Sequence, residues 1–338
     1  WANAVLVNCA DSAIKSKYFN DDMSLKSSIV GQIISMDEIL QMYVYIPRYK
    51  YKLFNANNGT NVEKAIDIQF EKVGTEKSNG TKNGEWLTHP AFTFGNTELP
   101  GIWVGKFETS NSSNLPKIVP NVSSLRDINV SNQFSISKLI STSLIDTYGT
   151  SVNDDSHMMK NMEWGAVAYL TNSIYGRFSD SSTCVESGCE VWINNNSHYI
   201  TGCAGVSVSA SKSADCNEWN TSIGVNASTT GNIYGIYDMS GGAWEYVMSN
   251  YNGVISSSGF TALPDSKYYD KYDGSNFNMY ESKSIWYGDQ NFILNSTYPW
   301  GQRGSTYPDE VLAGIFTFGT DSGGANGYSS FRIVITTS

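Results

Sequence analysis

The sequence predicts a mixed α+β fold, in which small twisted antiparallel sheets and two helices carry extensive irregular loops. Three observations lead to this prediction: short segments that alternate apolar and polar residues, two segments with apolar residues at helical spacing, and long Gly-, Ser- and Asn-rich stretches between them. With 338 residues, 40% of them hydrophobic, the chain can form one large domain or two small ones around a substantial core.

Three segments have the composition of strands. Residues 42–54 alternate and are rich in aromatic and β-branched side chains, which favour pleated structure. Pro47 is expected to break this strand or to form a bulge in it, because proline has no amide hydrogen to donate to a neighbouring strand. Residues 65–70 are the predicted partner of this strand, and residues 101–108 form a further one.

Two segments carry apolar residues three and four positions apart, which predicts helices over residues 134–140 and 157–170. Any of the three residues 154–156 can accept a hydrogen bond at the start of the second helix, since all are Asp or Ser. Gly176 lies just beyond its predicted end.

The composition favours an extracellular protein. Only 16% of the residues are charged, and the polar surface is supplied by hydroxyl and amide side chains. A net charge of -10 argues against nucleic acid as a partner, because phosphate binding relies on clustered Lys and Arg. The chain has no 18-residue apolar stretch and no leader at its start, so we expect a trimmed ectodomain without direct membrane insertion.

Four cysteines lie close together in sequence and predict two disulfides: Cys184, Cys189, Cys203 and Cys216. Three pairings are possible, and we favour Cys184–Cys189 and Cys203–Cys216 because each closes a short local loop. A four-thiolate zinc site is disfavoured, because the cysteines lack the spacing of paired zinc knuckles. Cys9 is left over.

A short acidic loop is a candidate for hard-cation binding. Asp238 and Glu245 are separated by a Gly-Gly-Ala run at 241–243, which allows main-chain carbonyls to turn toward one point. Carboxylates and carbonyls are the ligands that calcium prefers. Alternatively, the run is a glycine turn whose carboxylates cap backbone amides or pair with Arg303 or Arg332.

Residues 231–246 (GNIYGIYDMSGGAWEY), 299–304 (PWGQRG) and 330–335 (SFRIVI) together resemble the core of the formylglycine-generating-enzyme (sulfatase-modifying factor) branch of the C-type lectin fold. The resemblance runs from about residue 43 to residue 335. It implies a C-type lectin-like fold of the formylglycine-generating-enzyme type.

The domain organisation follows from the same resemblance. It implies one C-type lectin-like domain over residues 1–338, with residues 1–40 as an N-terminal extension. Residues 177–220 are then a disulfide-bearing insertion.

The resemblance also implies a structural calcium ion. Its ligands would be the side chains of Asp238 and Glu245 and the main-chain carbonyls of Gly241 and Ala243. This chain has Asp and Gly at two positions where the family often has Asn. No organic cofactor is implied.

Catalysis is not expected, because the residues that perform it in this branch are missing. The enzymes need a cysteine pair beside the strand that follows the Arg-Gly element, and residues 303–310 contain none. The related sulfoxide synthases use clustered histidines for iron, whereas His89, His157 and His198 lie in unrelated contexts. We therefore predict a binder and not an enzyme, although an enzyme of the formylglycine-generating type stays the least favoured alternative.

The C-terminal region predicts a ligand-binding face. Aromatic anchors among small adaptable polar residues are typical of interchangeable binding surfaces, although some of the same side chains are alternatively core or solvated loop. The predicted face comprises Trp286, Tyr287, Tyr298, Trp300, Gln302, Ser305, Thr306, Tyr307, Asp309, Glu310, Thr317, Thr320, Asp321 and Tyr328.

This layout is similar to that of the variable proteins of diversity-generating retroelements, which serve as phage receptor-binding tips or bacterial surface ligand-binders. The resemblance implies a protein ligand or receptor on another cell or surface, and a location on a bacterial cell surface or a phage virion. A fixed-specificity adhesin, or a structural head domain of a pilus or cell-surface assembly, is the alternative.

The resemblance divides the C-terminal region into varying and fixed positions. The positions expected to vary are Gln302, Ser305, Thr306, Asp309, Glu310, Thr317, Thr320 and Asp321. Those expected to be fixed are Trp300, Arg303, Gly304, Gly314, Phe316 and Phe331.

Overall fold

The computed structural model describes residues 1–54, 63–112, 115–180, 188–273 and 286–337. It confirms the mixed α+β architecture, with short strands, few helices and much irregular chain. The strands are β1 (Asn3–Val7), β2 (Ile39–Pro47), β3 (Tyr49–Lys52), β4 (Ile68–Phe70), β5 (Trp86–Thr88), β6 (Thr93–Phe94), β7 (Thr97–Glu98), β8 (Gly101–Gly105), β9 (Ser110–Ser112), β10 (Leu115–Lys117), β11 (Asp154–Met158), β12 (Cys203–Ala204), β13 (Asn217–Glu218), β14 (Trp244–Tyr251), β15 (Asp270–Tyr272), β16 (Trp300–Gly304), β17 (Gly314–Asp321), β18 (Ser329–Phe331) and β19 (Ile333–Thr337). The helices are α1 (Ser12–Tyr18), α2 (Val130–Lys138), α3 (Ile145–Tyr148) and α4 (Asn161–Thr171).

One five-stranded sheet has the order β1-β2-β8-β19-β11, and all its neighbouring strands are antiparallel. Val44, Val104 and Val334 lie side by side across its three central strands and are fully buried. The N-terminal residues contribute β1 to one edge of this sheet, and β11 forms the other edge. Strand β19 therefore lies in the interior, between β8 and β11.

A second sheet carries the C-terminal region and has the order β15-β14-β16-β17, with β18 also paired to β14. It is not wholly antiparallel, because β14 runs parallel to both β15 and β18. Helix α4 packs against it: the Trp164 ring is fully buried, and its Nε1 donates to the Ile315 carbonyl over 2.7 Å.

The predicted break at Pro47 is confirmed. β2 ends at Pro47 and β3 begins at Tyr49, with Arg48 between them. The Arg48 guanidinium is buried in the bend, where Nη1 donates to the Phe92 carbonyl over 3.2 Å and pairs with Glu98 at 2.7 Å.

The predicted strands at 65–70 and 101–108 also exist, in shorter form. The first is β4, which pairs with β3 as predicted, and the second is β8. Tertiary pairing therefore uses only part of each segment, namely the last three residues of the first and the first five of the second.

The predicted helix at 157–170 begins too early. Residues 154–158 form β11, the edge strand beside β19, so the predicted caps at 154–156 are wrong. The helix begins at Asn161, and the Glu163 carboxylate accepts the Lys160 amide hydrogen over 2.8 Å at its start. A local pattern cannot reveal the strand pairing that claims these residues.

The other predicted helix, at 134–140, begins earlier than the pattern indicated. It is α2, and Asn129 caps it by accepting the Asn132 amide hydrogen over 3.0 Å. The short helices α1 and α3 had not been predicted.

The structure confirms the Cys203–Cys216 disulfide. It links β12, which contains Cys203, to the residue just before β13. Cys189 is also disulfide-bonded, but Cys184 lies outside the described residues, so the pairing Cys184–Cys189 stays a prediction. Cys9 is a free, buried thiol.

Loss of the Cys203–Cys216 disulfide should destabilise the protein. The bond spans 13 residues of sequence, and releasing a loop of this size increases the conformational entropy of the unfolded chain. For Cys203→Ser/Cys216→Ser we expect the free energy of unfolding in urea to fall by about 2 to 4 kcal/mol. An unchanged unfolding midpoint would contradict this role.

Candidate functional site

A buried guanidinium lies at the base of the C-terminal region. Arg332 is fully buried between β18 and β19, and its Nε donates to Glu245 Oε2 over 3.0 Å while Nη2 donates to Glu245 Oε1. Nη1 donates to the Gly105 carbonyl over 2.8 Å, and Nη2 donates to the Tyr237 carbonyl over 3.0 Å. The guanidinium therefore joins the two large sheets through β8, β14 and the turn before β19.

A second buried carboxylate, Asp238, organises the insertion. It accepts hydrogen bonds from Asn194 Nδ2 at 2.8 Å and from the Gly202 amide at 2.9 Å, and a longer one from the Glu108 amide at 3.4 Å. Asp238 itself has a φ of 60°, a conformation that Asp tolerates better than most residues. Its carboxylate thus holds two distant segments to the start of the glycine turn.

The glycine turn comprises residues 240–243. Gly241 and Gly242 have φ angles of 73° and 72°, which favour glycine, and a Cβ at Gly242 would lie 2.5 Å from Glu108 Oε1. That same oxygen accepts the Ala243 amide hydrogen over 2.8 Å. Glu108, which the sequence analysis did not select, is therefore a direct support of this turn.

Hydrogen bonds connect the glycine turn to the display loop, which we define as residues 304–312. The Gly241 amide donates to the Gly304 carbonyl over 2.9 Å. The Gly242 carbonyl accepts from the Tyr307 amide at 3.0 Å and from Thr306 Oγ1 at 3.1 Å. The backbone of the loop is consequently fixed to the buried charges beneath it.

The display loop also closes on itself. The Asp309 carboxylate accepts from the Ser305 hydroxyl and, at 3.2 Å, from the Thr306 amide. Gln290 Nε2 donates to Ser305 Oγ over 2.9 Å from outside the loop. These bonds explain how Ser305 keeps a φ of 66°.

The predicted calcium ligands do not fit a calcium site. Both oxygens of Glu245 accept hydrogens from Arg332, and those of Asp238 accept from Asn194 and main-chain amides. A guanidinium thus stands where the resemblance implies a cation. Among the residues described, no group of three or more His, Cys, Asp or Glu side chains is arranged to hold a metal ion.

Three buried carboxylates lie close enough to influence one another, and their pKa values reflect it. Burial raises the pKa of Glu108 well above its ordinary value, and the nearby Asp238 and Glu245 raise it further. Burial also raises the pKa of Glu245 to about 7 against the opposing effect of Arg332. The pKa of Asp238 is raised by burial too, although Arg332 and Asn194 oppose the shift.

Six residues of the predicted face are buried and do not present their side chains to a ligand: Trp286, Trp300, Gln302, Ser305, Thr306 and Thr317. Trp300 packs its ring on Phe260 at 5.6 Å, and Trp286 stacks on Phe54 at 5.4 Å. The polar members of the six satisfy internal hydrogen bonds, such as Gln302 Nε2 to Ser329 Oγ at 2.7 Å.

The other eight are exposed or partly exposed: Tyr287, Tyr298, Tyr307, Asp309, Glu310, Thr320, Asp321 and Tyr328. Tyr328 is 62% exposed and Tyr298 is 50% exposed, which is high for a tyrosine. Exposed apolar side chains that the sequence analysis did not select accompany them: Phe292, Val311 and Leu312.

The insertion brings further residues to the display loop. Tyr199 meets the Tyr307 ring edge-on at 4.9 Å, and the Arg126 guanidinium lies 3.8 Å from the Tyr199 ring centre. Ser211 Oγ donates to Glu310 Oε1 over 2.8 Å. No sequence signal marks these partners, because they are about a hundred or more residues away along the chain.

Comparison with known proteins gives distant likenesses. No protein-family model matches the sequence, and neither does any curated protein. The similar solved structures include PvdO from Pseudomonas aeruginosa, which is 11% identical with a TM-score of 0.39 over 88% of this chain and 94% of that one. They also include variable protein 1 of Treponema denticola, which is 10% identical with a TM-score of 0.37 over 89% of this chain and 97% of that one. Neither likeness is close enough to assign a family or a function. No helix in the described part of the chain is both long and apolar enough to cross a membrane.

The pKa of Glu108 predicts a specific pH dependence. Because its folded-state pKa is raised, the stability that the protonated carboxyl supplies is present at low pH and declines as pH rises above the ordinary value of 4.5. Glu108→Gln keeps an oxygen for the Ala243 amide but cannot ionise. Relative to wild type, we expect its free energy of unfolding to rise by about 1 kcal/mol or more between pH 5 and pH 8.

Glu76→Gln is the matched control, because Glu76 is exposed and lies outside the network. Its difference from wild type should stay constant over the same pH range in urea unfolding. A constant difference for Glu108→Gln as well would refute the assignment of a shifted carboxyl at this position.

Proposed function

We propose that this protein is a surface-displayed ligand-binding protein whose specificity is set by the display loop and the neighbouring strand ends. One observation carries the proposal: the main chain of the display loop is hydrogen-bonded to the glycine turn, while Tyr307 and Glu310 extend at least partly into solvent. A fixed backbone with outward side chains lets specificity change without changing the fold.

Binding energetics favour such an arrangement. A loop that is already ordered loses little conformational entropy when a ligand binds, so more of the contact energy appears as affinity. Ser305, Thr306 and Asp309 order the loop from within, and Gly242 orders it from below.

The chemistry of the surface suits a protein ligand. Tyr298, Tyr307 and Tyr328 offer large amphipathic areas with few rotatable bonds, which are frequent hot spots in protein interfaces. Asp309 and Glu310 add negative charges at the same surface. Charged groups in an interface contribute more to specificity than to affinity.

The resemblance to variable proteins leads us to propose further that the chain is a C-type lectin-like, retroelement-diversified protein without catalytic activity. We place it outside the cell, on a bacterial surface or a phage virion. The Cys203–Cys216 bond supports this location, because structural disulfides persist in oxidising compartments.

We propose that only some of the positions expected to vary do so. Glu310, Thr320 and Asp321 are at least partly exposed. Asp309 is partly exposed too, but it orders the display loop by accepting from Ser305 and the Thr306 amide, so we propose it as fixed. The buried positions expected earlier to vary, namely Gln302, Ser305, Thr306 and Thr317, are now proposed as fixed scaffold.

Population sequencing tests diversification directly. We expect deep sequencing of the 3′ end of the gene to reveal adenine-biased substitutions at the codons of Glu310, Thr320 and Asp321. An adjacent template repeat and a reverse transcriptase gene should accompany them. Invariant codons without a template would remove the diversification and leave a fixed-specificity adhesin.

Stability measurements test the division between face and scaffold. Tyr328→Ala should change the free energy of unfolding by no more than about 0.5 kcal/mol, because the side chain lies mostly in solvent. Ser305→Ala should cost about 1 to 3 kcal/mol, because it removes a buried hydroxyl that accepts from Gln290 Nε2 and donates to Asp309. Equal effects of the two variants in urea unfolding would contradict the division.

One observation favours a structural head domain as a second candidate. Leu25, Val30 and Ile33 near the N-terminus are strongly exposed apolar side chains, which are typical of subunit contacts. Self-association at micromolar concentration in sedimentation analysis would favour this function.

A further inference from the structure

A cleft lies apart from the display loop and shares no residue with the predicted ligand-binding face. It is bounded by the β6-β7 hairpin and the segment 265–270, and its volume is about 530 Å³. This volume falls within the range of small-molecule sites, which is about 300 to 1,000 Å³. The residues that argue for a ligand are Phe94, Lys160, Asp265, Lys267 and Asp270.

Lys160 lines this cleft with an ammonium group that makes no direct ion pair, although Glu163 and Asp270 attract it at longer range. The residue is only 5% exposed, and its Nζ lies 5.5 Å from the centre of the Phe94 ring. In the described part of the chain, no carboxylate lies within 4.0 Å of that nitrogen, and no hydrogen bond to it is formed. A lysine this deeply buried is nearly always paired.

Two carboxylates that bind His157, whose ring stacks on Phe94, are engaged in other hydrogen bonds. Glu163 accepts from His157 Nε2 at 3.0 Å and from the Lys160 main-chain amide at 2.8 Å. Asp155 binds His157 Nδ1 at 3.1 Å, Lys138 Nζ at 3.0 Å and the Tyr268 hydroxyl at 2.7 Å. These two carboxylates compensate the charges of Lys138 and His157 and form no direct contact with the Lys160 ammonium, which lines the cleft.

A second ammonium group lies at the same aromatic ring. Lys267 Nζ is 5.0 Å from the centre of Phe94 and 3.8 Å from Asp155 Oδ2, a long ion pair. Both nitrogens are within 5.5 Å of one ring centre, so two ammonium groups lie around the same aromatic side chain of the cleft.

The cleft also carries negative charge. Asp265 is exposed at the rim and holds the Lys267 amide through Oδ1, and Asp270 accepts the Met162 amide hydrogen through Oδ2 at 2.7 Å. Burial raises the pKa of Asp270 to about 6, so it is mostly ionised at neutral pH. Two ammonium and two carboxylate groups disfavour a polyanion and match a neutral ligand that carries both signs.

We propose that this cleft binds a small zwitterion of the α-amino acid type, with its carboxylate at Lys160 and Lys267 and its ammonium at Asp265 and Asp270. The proposal does not depend on the function of the display loop. It makes this cleft a second, small-molecule site on the same protein.

The test is isothermal titration of the purified protein with each of the twenty standard L-amino acids at pH 7.5. We expect at least one to bind saturably with one site per chain, and Lys160→Met to weaken that binding about tenfold or more, since it removes a charge-assisted contact but keeps the packing on Phe94. Lys271→Met is the control, because Lys271 is exposed and does not line the cleft.

Analogues of the best-binding amino acid test both ends of the ligand. Its decarboxylated amine and its N-acetyl derivative should each bind at least about tenfold more weakly. The proposal is overturned if no amino acid binds, if Lys160→Met leaves affinity unchanged, or if inorganic phosphate competes equally well. Should Lys160→Met lower the melting temperature, Lys267→Met must give the same loss of affinity in a stably folded protein.

Discussion

The ion pair between Arg332 and Glu245 is the constraint on which the C-terminal half of the molecule depends. It connects the turn before β19 to β14 and, through the Gly105 and Tyr237 carbonyls, to β8 and the segment before the glycine turn. Desolvating such a pair costs several kcal/mol for each ion, so it persists only with all its hydrogen bonds in place. Any movement of the two sheets against each other would break these bonds together.

The pair acts through a short chain of contacts. Glu245 and Asp238 flank the glycine turn, Glu108 supports the turn from below, and Gly242 holds Thr306 and Tyr307 in the display loop. The outermost loop is therefore only a few hydrogen bonds away from the most deeply buried charges. Its order comes from the interior and from Ser305, Thr306 and Asp309, so Tyr307 and Glu310 need to contribute little to it.

Sequence reasoning succeeded where a residue acts locally. Pro47 ended a strand through its own covalent structure, and Cys203 paired with the nearest available cysteine. It failed where a distant segment decided the outcome. Residues 154–158, predicted as the caps and first two residues of a helix, pair with β19 instead, and Glu245, assigned to calcium, pairs with Arg332. Polarity alone could not separate buried Ser305 from exposed Glu310, because both are hydrophilic.

The position of β19 in the interior of the first sheet has a genetic consequence. The codons for β19 and for Arg332 lie downstream of those for the whole display loop. A frameshift or premature stop within the display region therefore removes a central strand together with the buried guanidinium, and the product cannot complete its sheet. A copy of the protein that completes its first sheet has therefore been translated in frame through the display loop as far as β19.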